Sequence, residues 1–157
     1  MIKQRKTDNR IYPERPIVGV GAVIFIGGAV LLIKRGRPPG YLKWSIPGGA
    51  VKLGETLQEA VQREVAEEVG LQVRAGRIVS VLDRIFPDEA GRIQYHYVLV
   101  DFLCQVLGGN LRPDSDVLEA GLVSLDDLTG YDLTAGTAEL ITRVASNQLE
   151  PYVSMFD

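Results

Sequence analysis

The stretch Gly49–Leu71, GAVKLGETLQEAVQREVAEEVGL, decides how the chain is read. Thr56-Leu57-Gln58-Glu59 has the form of a capping box, in which the threonine hydroxyl accepts an orphan amide and the glutamate reaches back to the cap. That predicts a helix starting near Thr56. Gly70 predicts its end, because glycine readily takes the left-handed conformation that closes helices, and the residues between are mostly good helix formers. At 3.6 residues per turn, Leu57, Ala60, Val61, Glu64 and Glu68 share one broad stripe, with Glu67 at its edge. An apolar face therefore runs into three acids.

Acids on the outer face of a helix are ordinarily solvated. Here they prolong the face that Leu57 and Val61 bury, so like charges are partly desolvated side by side and raise one another's pKa unless a cation intervenes. A divalent, oxygen-seeking metal meets that need. Mg²⁺ suits the cluster best, because it prefers carboxylate oxygen, keeps several waters and is usually shared with substrate phosphates. Arg63, beside Glu64 and one turn before Glu67, has the planar fork of donors that holds a carboxylate.

These residues carry a resemblance. Gly49, five residues, Glu55, seven residues, then Arg63-Glu64-Val65-Ala66-Glu67-Glu68-Val69-Gly70-Leu71 matches the Nudix box at every fixed position. The order of elements from about Ile17 to Gln148 also resembles a Nudix domain. The resemblance implies an α/β/α sandwich of α+β type with a mixed central sheet, hydrolysing a nucleoside diphosphate linked to another group with Mg²⁺ or Mn²⁺. It implies that Glu64, Glu67, Glu68 and the Gly49 carbonyl hold metal, that Arg63 orients a carboxylate, and that Glu55 fixes the loop. The base is then a helix glutamate or an acid of the Leu111–Glu119 segment; among Asp114, Asp116 and Glu119, Glu119 is preferred.

Within the family the chain is most like the branch that cleaves ADP-ribose. Two features carry this: the segment Tyr12-Pro13-Glu14-Arg15-Pro16 before the first strand, and Pro87, sixteen residues beyond Leu71. Tyr12, Arg15, Phe86 and Pro87 are accordingly the candidate substrate contacts, with Phe86 offering a ring for adenine. A nucleoside-triphosphate pyrophosphatase that clears damaged nucleotides is the alternative enzyme. A ligand-binding Nudix domain without catalysis is the alternative of another class, disfavoured by a box with no gaps.

At 157 residues the chain fits one domain, burying roughly two-thirds of its unfolded surface. Residues 1–16 read as an arm and 17–157 as a single domain. Cys104 is the only cysteine, which excludes an internal disulfide or zinc cluster and fits a reducing, cytoplasmic setting. His96 is the only histidine, so no histidine metal site exists. A net charge of −3 gives no general attraction to polyanions, and no nucleic-acid polymer is expected as partner. Lys3, Arg5, Lys6 and Arg10 before the uncharged run Ile17–Ile33 imitate a targeting signal. That run is shorter than the roughly 20 residues that span a bilayer and is broken by Gly27-Gly28, so no membrane association is expected. The arm and the apolar strands permit a homodimer.

Val18–Ile26 is nearly continuous apolar sequence and predicts a buried strand, with Gly27-Gly28 as a hairpin turn and Ala29–Lys34 returning. Arg35–Tyr41 is a Gly/Pro loop; Arg35, Arg37 and Lys43 are candidate phosphate contacts. Trp44-Ser45-Ile46 is a short strand leading into Pro47-Gly48-Gly49, where glycine lets the backbone pass close to other groups. Gln72–Asp83 and Ile93–Val106 are strands, joined by a loop over Ile85–Arg92. Ala120–Ser124 is the last strand, followed by a helical turn and a closing helix over Thr134–Gln148.

Overall fold

The computed structural model describes residues 9–147 and the backbone of 152–153. Its first helix, α1 (Leu57–Val69), starts and stops where its local chemistry directs. The Thr56 hydroxyl accepts the Glu59 amide at 3.1 Å, and the Glu59 carboxylate accepts the Thr56 amide at 2.8 Å. Gly70 closes the helix at φ 73° and donates to the Ala66 carbonyl. Thr56→Ala should cost about 1 kcal/mol, seen as a fall in Tm of roughly 3 °C with activity retained. No fall in Tm would mean that water replaces the cap.

The apolar run forms β1 (Ile17–Ile26), and Gly27-Gly28, both at positive φ, return it as β2 (Ala29–Arg35). Then come β3 (Trp44–Ser45), β4 (Gly48–Ala50), β5 (Leu71–Pro87), β6 (Ile93–Gly109), β7 (Val117–Ser124) and β8 (Tyr152–Val153). The sheet path is β3-β2-β1-β6-β5-β8, with β4 on β1 and β7 on β2. The β1·β6 pair is parallel while β5·β6 is antiparallel, so the sheet is mixed.

Successive strand residues face opposite sides, and β1 shows what each side meets. Val20, Ala22 and Ile24 pack with Ala60, Val61 and Val65 of α1. Val23 packs instead with Leu140 and Val144 of the second helix, α2 (Thr137–Ala145). Helices thus cover both faces, the expected α/β/α sandwich.

Several boundaries differ from the sequence expectation; β6, for one, runs to Gly109 instead of ending at Val106, and the closing helix ends at Ala145. Gly48–Ala50 is a strand rather than a plain loop, because its residues pair with Gly19–Gly21 of β1. Ile85, Phe86 and Pro87 belong to β5, since β6 supplies partners as far as the Pro87–Ile93 pair. A proline is tolerated there because it ends the strand. The loop shrinks to 88–92. On β2, Lys34 and Arg35 extend the pairing of β7 back to Glu119 and Val117, so that strand starts earlier than Ala120. The closing helix begins at Thr137, not Thr134, because Gly136 lies at φ 82° and the Thr134 and Thr137 hydroxyls share a hydrogen bond of 2.6 Å. Gln148 lies outside the described residues.

Candidate active site

α1 lies over the paired strands β1 and β4, and that contact gathers the polar groups. Strand β4 presents the Gly48 amide to Glu68, whose Oε1 accepts it at 2.9 Å. Glu68 is only 8% exposed. Burial pushes its carboxyl up to about 8; the Gly48 amide and Arg35 oppose that rise, and the charges of Glu64 and Asp116 add to it. A carboxylate held so far from its ordinary range, in a cluster of acids, is where added positive charge has most effect.

Arg63 organises the rest. Its Nε and Nη2 donate to the two oxygens of Glu55 at 2.6 and 2.8 Å, and Nη2 also donates to the Ala50 carbonyl at 3.0 Å. Its Nη1 donates to Glu64 at 2.7 Å and to Glu67 at 3.2 Å. One guanidinium therefore ties the loop before the helix to the acids upon it, a task for a planar fork. The Arg63 hydrogen bonds hold the Glu55 carboxyl down at about 2 and push the guanidinium further above its ordinary value. Glu55 also accepts the Lys52 amide at 3.1 Å, which closes the loop. Glu64 is largely buried, whereas Glu67 is half exposed.

A Cβ at Gly49 would lie 2.6 Å from both carboxylate oxygens of Glu64. Glycine is needed here because the backbone and that carboxylate share one cradle. In Gly49→Ala the flexible Glu64 side chain should yield, so the fold survives while Glu64 is displaced. A misplacement of this kind costs about 10²-fold in turnover, and thermal melting alongside the assay separates the two effects. A wild-type rate in Gly49→Ala would dismiss the cradle.

Among the described residues, no three His, Cys, Asp or Glu side chains converge as a ready-made metal cage. Arg63 Nη1 bridges Glu64 and Glu67, and Glu68 turns to Gly48. The acids nonetheless do not hang in solvent as a plain outer face would place them: Glu68 is buried, Glu64 nearly so.

The acids beyond the helix fall differently from expectation. Ile33 and its register partner Ala120 pack towards α1, so their neighbours Lys34 and Glu119 turn to the opposite side. There they form an ion pair at 3.4 Å, and Glu119 is 58% exposed. The structure thus does not bring Glu119 to the helix acids. Asp116 is the acid of that segment whose charge reaches Glu68, and it pairs with Arg37 at 2.7 Å. Arg35, half-buried, donates to the Pro39 carbonyl at 2.7 Å; burial lowers its pKa and the Glu68 charge opposes that fall.

The proposed substrate contacts lie along the β5–β6 hairpin and the arm beside it. Phe86 meets Tyr95 edge-on with centroids 6.3 Å apart, and Tyr95 stacks on Tyr97 at 6.5 Å. Pro87 ends β5 and Arg15 is exposed. Tyr12 donates its hydroxyl to Asp88 at 2.7 Å. That contact spans 76 residues and had no signal in local spacing. Asp88 was legible only as a loop acid. Of the three candidate phosphate contacts, Lys43 lies 3.9 Å from Asp132.

Comparison with known proteins agrees with this architecture. The NUDIX domain family matches residues 15–144. The chain is 34% identical over 128 residues to the ADP-ribose pyrophosphatase of Methanocaldococcus jannaschii, covering 82% of this chain and 73% of that protein. It is 44% identical over 97 residues to the putative 8-oxo-dGTP diphosphatase 2 of Mycobacterium tuberculosis, covering 61% of this chain and 64% of that one. Among solved structures, an ADP-ribose pyrophosphatase from Streptococcus suis superposes with a TM-score of 0.65 at 30% identity, covering 85% of this chain and 92% of that one. With the box complete, its acids gathered where α1 crosses β4, and the family match spanning most of its length, the chain belongs to the NUDIX family of hydrolases.

Proposed function

We propose that the chain hydrolyses the pyrophosphate bond of a nucleoside diphosphate derivative with the help of a divalent cation, and that ADP-ribose or a related nucleotide sugar is its substrate. The observation that carries this reading is the buried Glu68 on the Gly48 amide, beside a Glu64 whose carboxylate fills the space left by the missing side chain of Gly49. Mg²⁺ commonly takes only one or two carboxylates and completes its shell with water and substrate phosphate, so a full protein cage is not required. Glu64, Glu67 and Glu68 with the Gly49 carbonyl supply hard oxygen donors of the right kind; Mn²⁺ is accepted by the same set. The ion, when bound, would neutralise phosphate charge and acidify water.

The chain's own residues have separate tasks in this reading. Arg63 fixes the directions of Glu64 and Glu67, and through Glu55 and the Ala50 carbonyl it holds the end of β4 and the loop that follows it against the helix. The helix acids receive the proton of the attacking water, since Glu119 is engaged with Lys34 on the other side. Phe86, at 39% exposure, presents a ring to a base, with Pro87 beside it. Arg15 is an exposed cation of the arm.

ADP-ribose is preferred because two relatives matched over most of their length carry that substrate in their names. A second reading, hydrolysis of a damaged nucleoside triphosphate, is favoured by the higher identity to the mycobacterial diphosphatase over a shorter span. Product analysis with ADP-ribose, other nucleotide sugars and 8-oxo-dGTP, each with and without Mg²⁺, separates them. AMP and ribose 5-phosphate from ADP-ribose are expected. Turnover of 8-oxo-dGTP with ADP-ribose left intact would favour the second reading.

A further inference from the structure

Gly19 and Gly21 leave part of one face of β1 without side chains, on the side where Val23 meets α2. Side chains of the parallel neighbour β6 lean over that bare strip. A Cβ at Gly19 would lie 2.7 Å from Leu99 Cδ2, and one at Gly21 would collide with Asp101 Oδ1 and lie 2.8 Å from Ile46 Cδ1. The same Gly19 position is 3.5 Å from the Gly49 carbonyl oxygen, so the strip begins at the cradle of the helix acids.

Glycines in a strand are an ordinary packing device. Asp101 is not explained that way. It is only 6% exposed, yet among the described residues no hydrogen-bond donor reaches its carboxyl group. Burial pushes that carboxyl up to about 6, against the charge of Arg84. No buried side-chain oxygen among the described residues is both sealed and unpartnered, so the Asp101 oxygens keep an opening to solvent. A desolvated carboxyl without a partner costs stability, and groups held at such a cost gather where ligands bind.

Distance selects what it meets. Gly19 and Gly21 are two residues apart on an extended strand, roughly 7 Å, which places Asp101 about one sugar ring beyond the Gly49 carbonyl. The group bonded directly to a phosphate at the helix acids is a ribose, and its hydroxyls are donors that a carboxyl accepts. Dinucleotide-binding folds pair an acid with a ribose hydroxyl in the same way.

We propose that Asp101 is a substrate-binding residue that accepts a hydrogen bond from a hydroxyl of the ribose adjoining the cleaved diphosphate, over the bare strip of Gly19 and Gly21, and that the chain therefore prefers ribose to deoxyribose at that position. The proposal rests on the reading of the helix acids as a pyrophosphate-cleaving site, and it adds an acid outside the box that selects the sugar.

The test measures kcat/KM for ADP-ribose and for two analogues, one without the 2-hydroxyl of the adenosine ribose and one without that of the terminal ribose, in the wild-type chain and in Asp101→Asn. In the wild type at least one analogue should fall about 10-fold or more below ADP-ribose, because a site built to accept a hydroxyl rejects its loss. Asp101→Asn keeps the shape and removes the charge; it should lower kcat/KM for ADP-ribose about 10-fold and shrink the preference to less than about 3-fold. Its Tm at neutral pH should match or exceed that of the wild type, since the desolvated carboxyl is gone. Equal kcat/KM for all three substrates in the wild type overturns the proposal and leaves the hydrolase reading intact. A variant that loses Tm and keeps the wild-type preference also overturns it, by making Asp101 a structural residue. So does turnover of 8-oxo-dGTP with ADP-ribose left intact, because a deoxyribose then suffices. A wild type that hydrolyses no nucleotide of the panel takes both readings down.

Discussion

Glu68→Gln is expected to lower turnover by about 10³-fold while making the chelator-treated protein more stable above neutral pH. The side chain is 8% exposed and accepts one amide hydrogen bond, which glutamine oxygen still accepts. The folded state holds the Glu68 proton up to about pH 8, whereas the unfolded chain releases it near 4.5. Between those values the native state binds more protons. The stability this group contributes is therefore complete below pH 4.5 and is lost as pH rises through about 8. The slope is at most about 1.4 kcal/mol per pH unit.

Tm measured from pH 5 to pH 9 in chelator should thus fall more steeply in the wild type than in Glu68→Gln. Saturating Mg²⁺ should restore much of the wild-type loss, because a cation at this carboxylate favours its charged form. Superimposable Tm profiles for the two proteins would mean that the carboxyl is ordinarily solvated in solution. The metal reading would then lose its footing.

Arg63→Ala is expected to damage both fold and function. It strips Glu55, Glu64 and Glu67 of their shared cation and leaves the Ala50 carbonyl without its donor. Removing one partner from a desolvated network costs more than the network contributes, because the remaining charges stay behind unpaired. A fall in Tm of roughly 5 °C or more is expected, together with a loss of turnover of about 10²-fold or more from misplaced acids. Arg63→Lys should recover little, since an ammonium cannot span both oxygens of Glu55 and the Ala50 carbonyl.

Acid supplies an independent check on Arg63. Glu55 is held at about 2, so its contribution is present above 4.5 and is lost as pH falls through about 2. Arg63→Ala should therefore flatten the acid limb of the stability profile. An acid limb identical to that of the wild type would show that the loop is anchored by other groups.

How far the sequence alone carried depended on the range of each contact. The capping box, the Gly70 stop and the shared face of Glu64 and Glu68 arise from residues three to four apart, so spacing was enough. The turn at Gly27-Gly28 and the apolar β1 were legible for the same reason. Strand ends were not. Ile85 and Phe86 are good strand formers that run directly into turn residues, and only the partners that β6 offers as far as Pro87 decide that they belong to the strand.

The site divides along the same line. Which acids belong to the helix, and that Arg63 can reach Glu64 and Glu67, followed from a single turn of α1. That Glu68 is buried on the Gly48 amide while Glu67 stays half exposed required the packing of α1 on β4. That Glu119 pairs with Lys34 while Asp116 reaches towards Glu68 required the register of β7 on β2.

Alone, then, the sequence determined one helix, its acids, the cation that orders them and the family they mark, because those features are written within single turns and unbroken apolar runs. Only the tertiary structure decided which acid loses its water, which turns away, and how Tyr12 comes to rest on a hairpin 76 residues distant. Burial and strand register arise from contacts between segments, and no short stretch of residues encodes its distant neighbours.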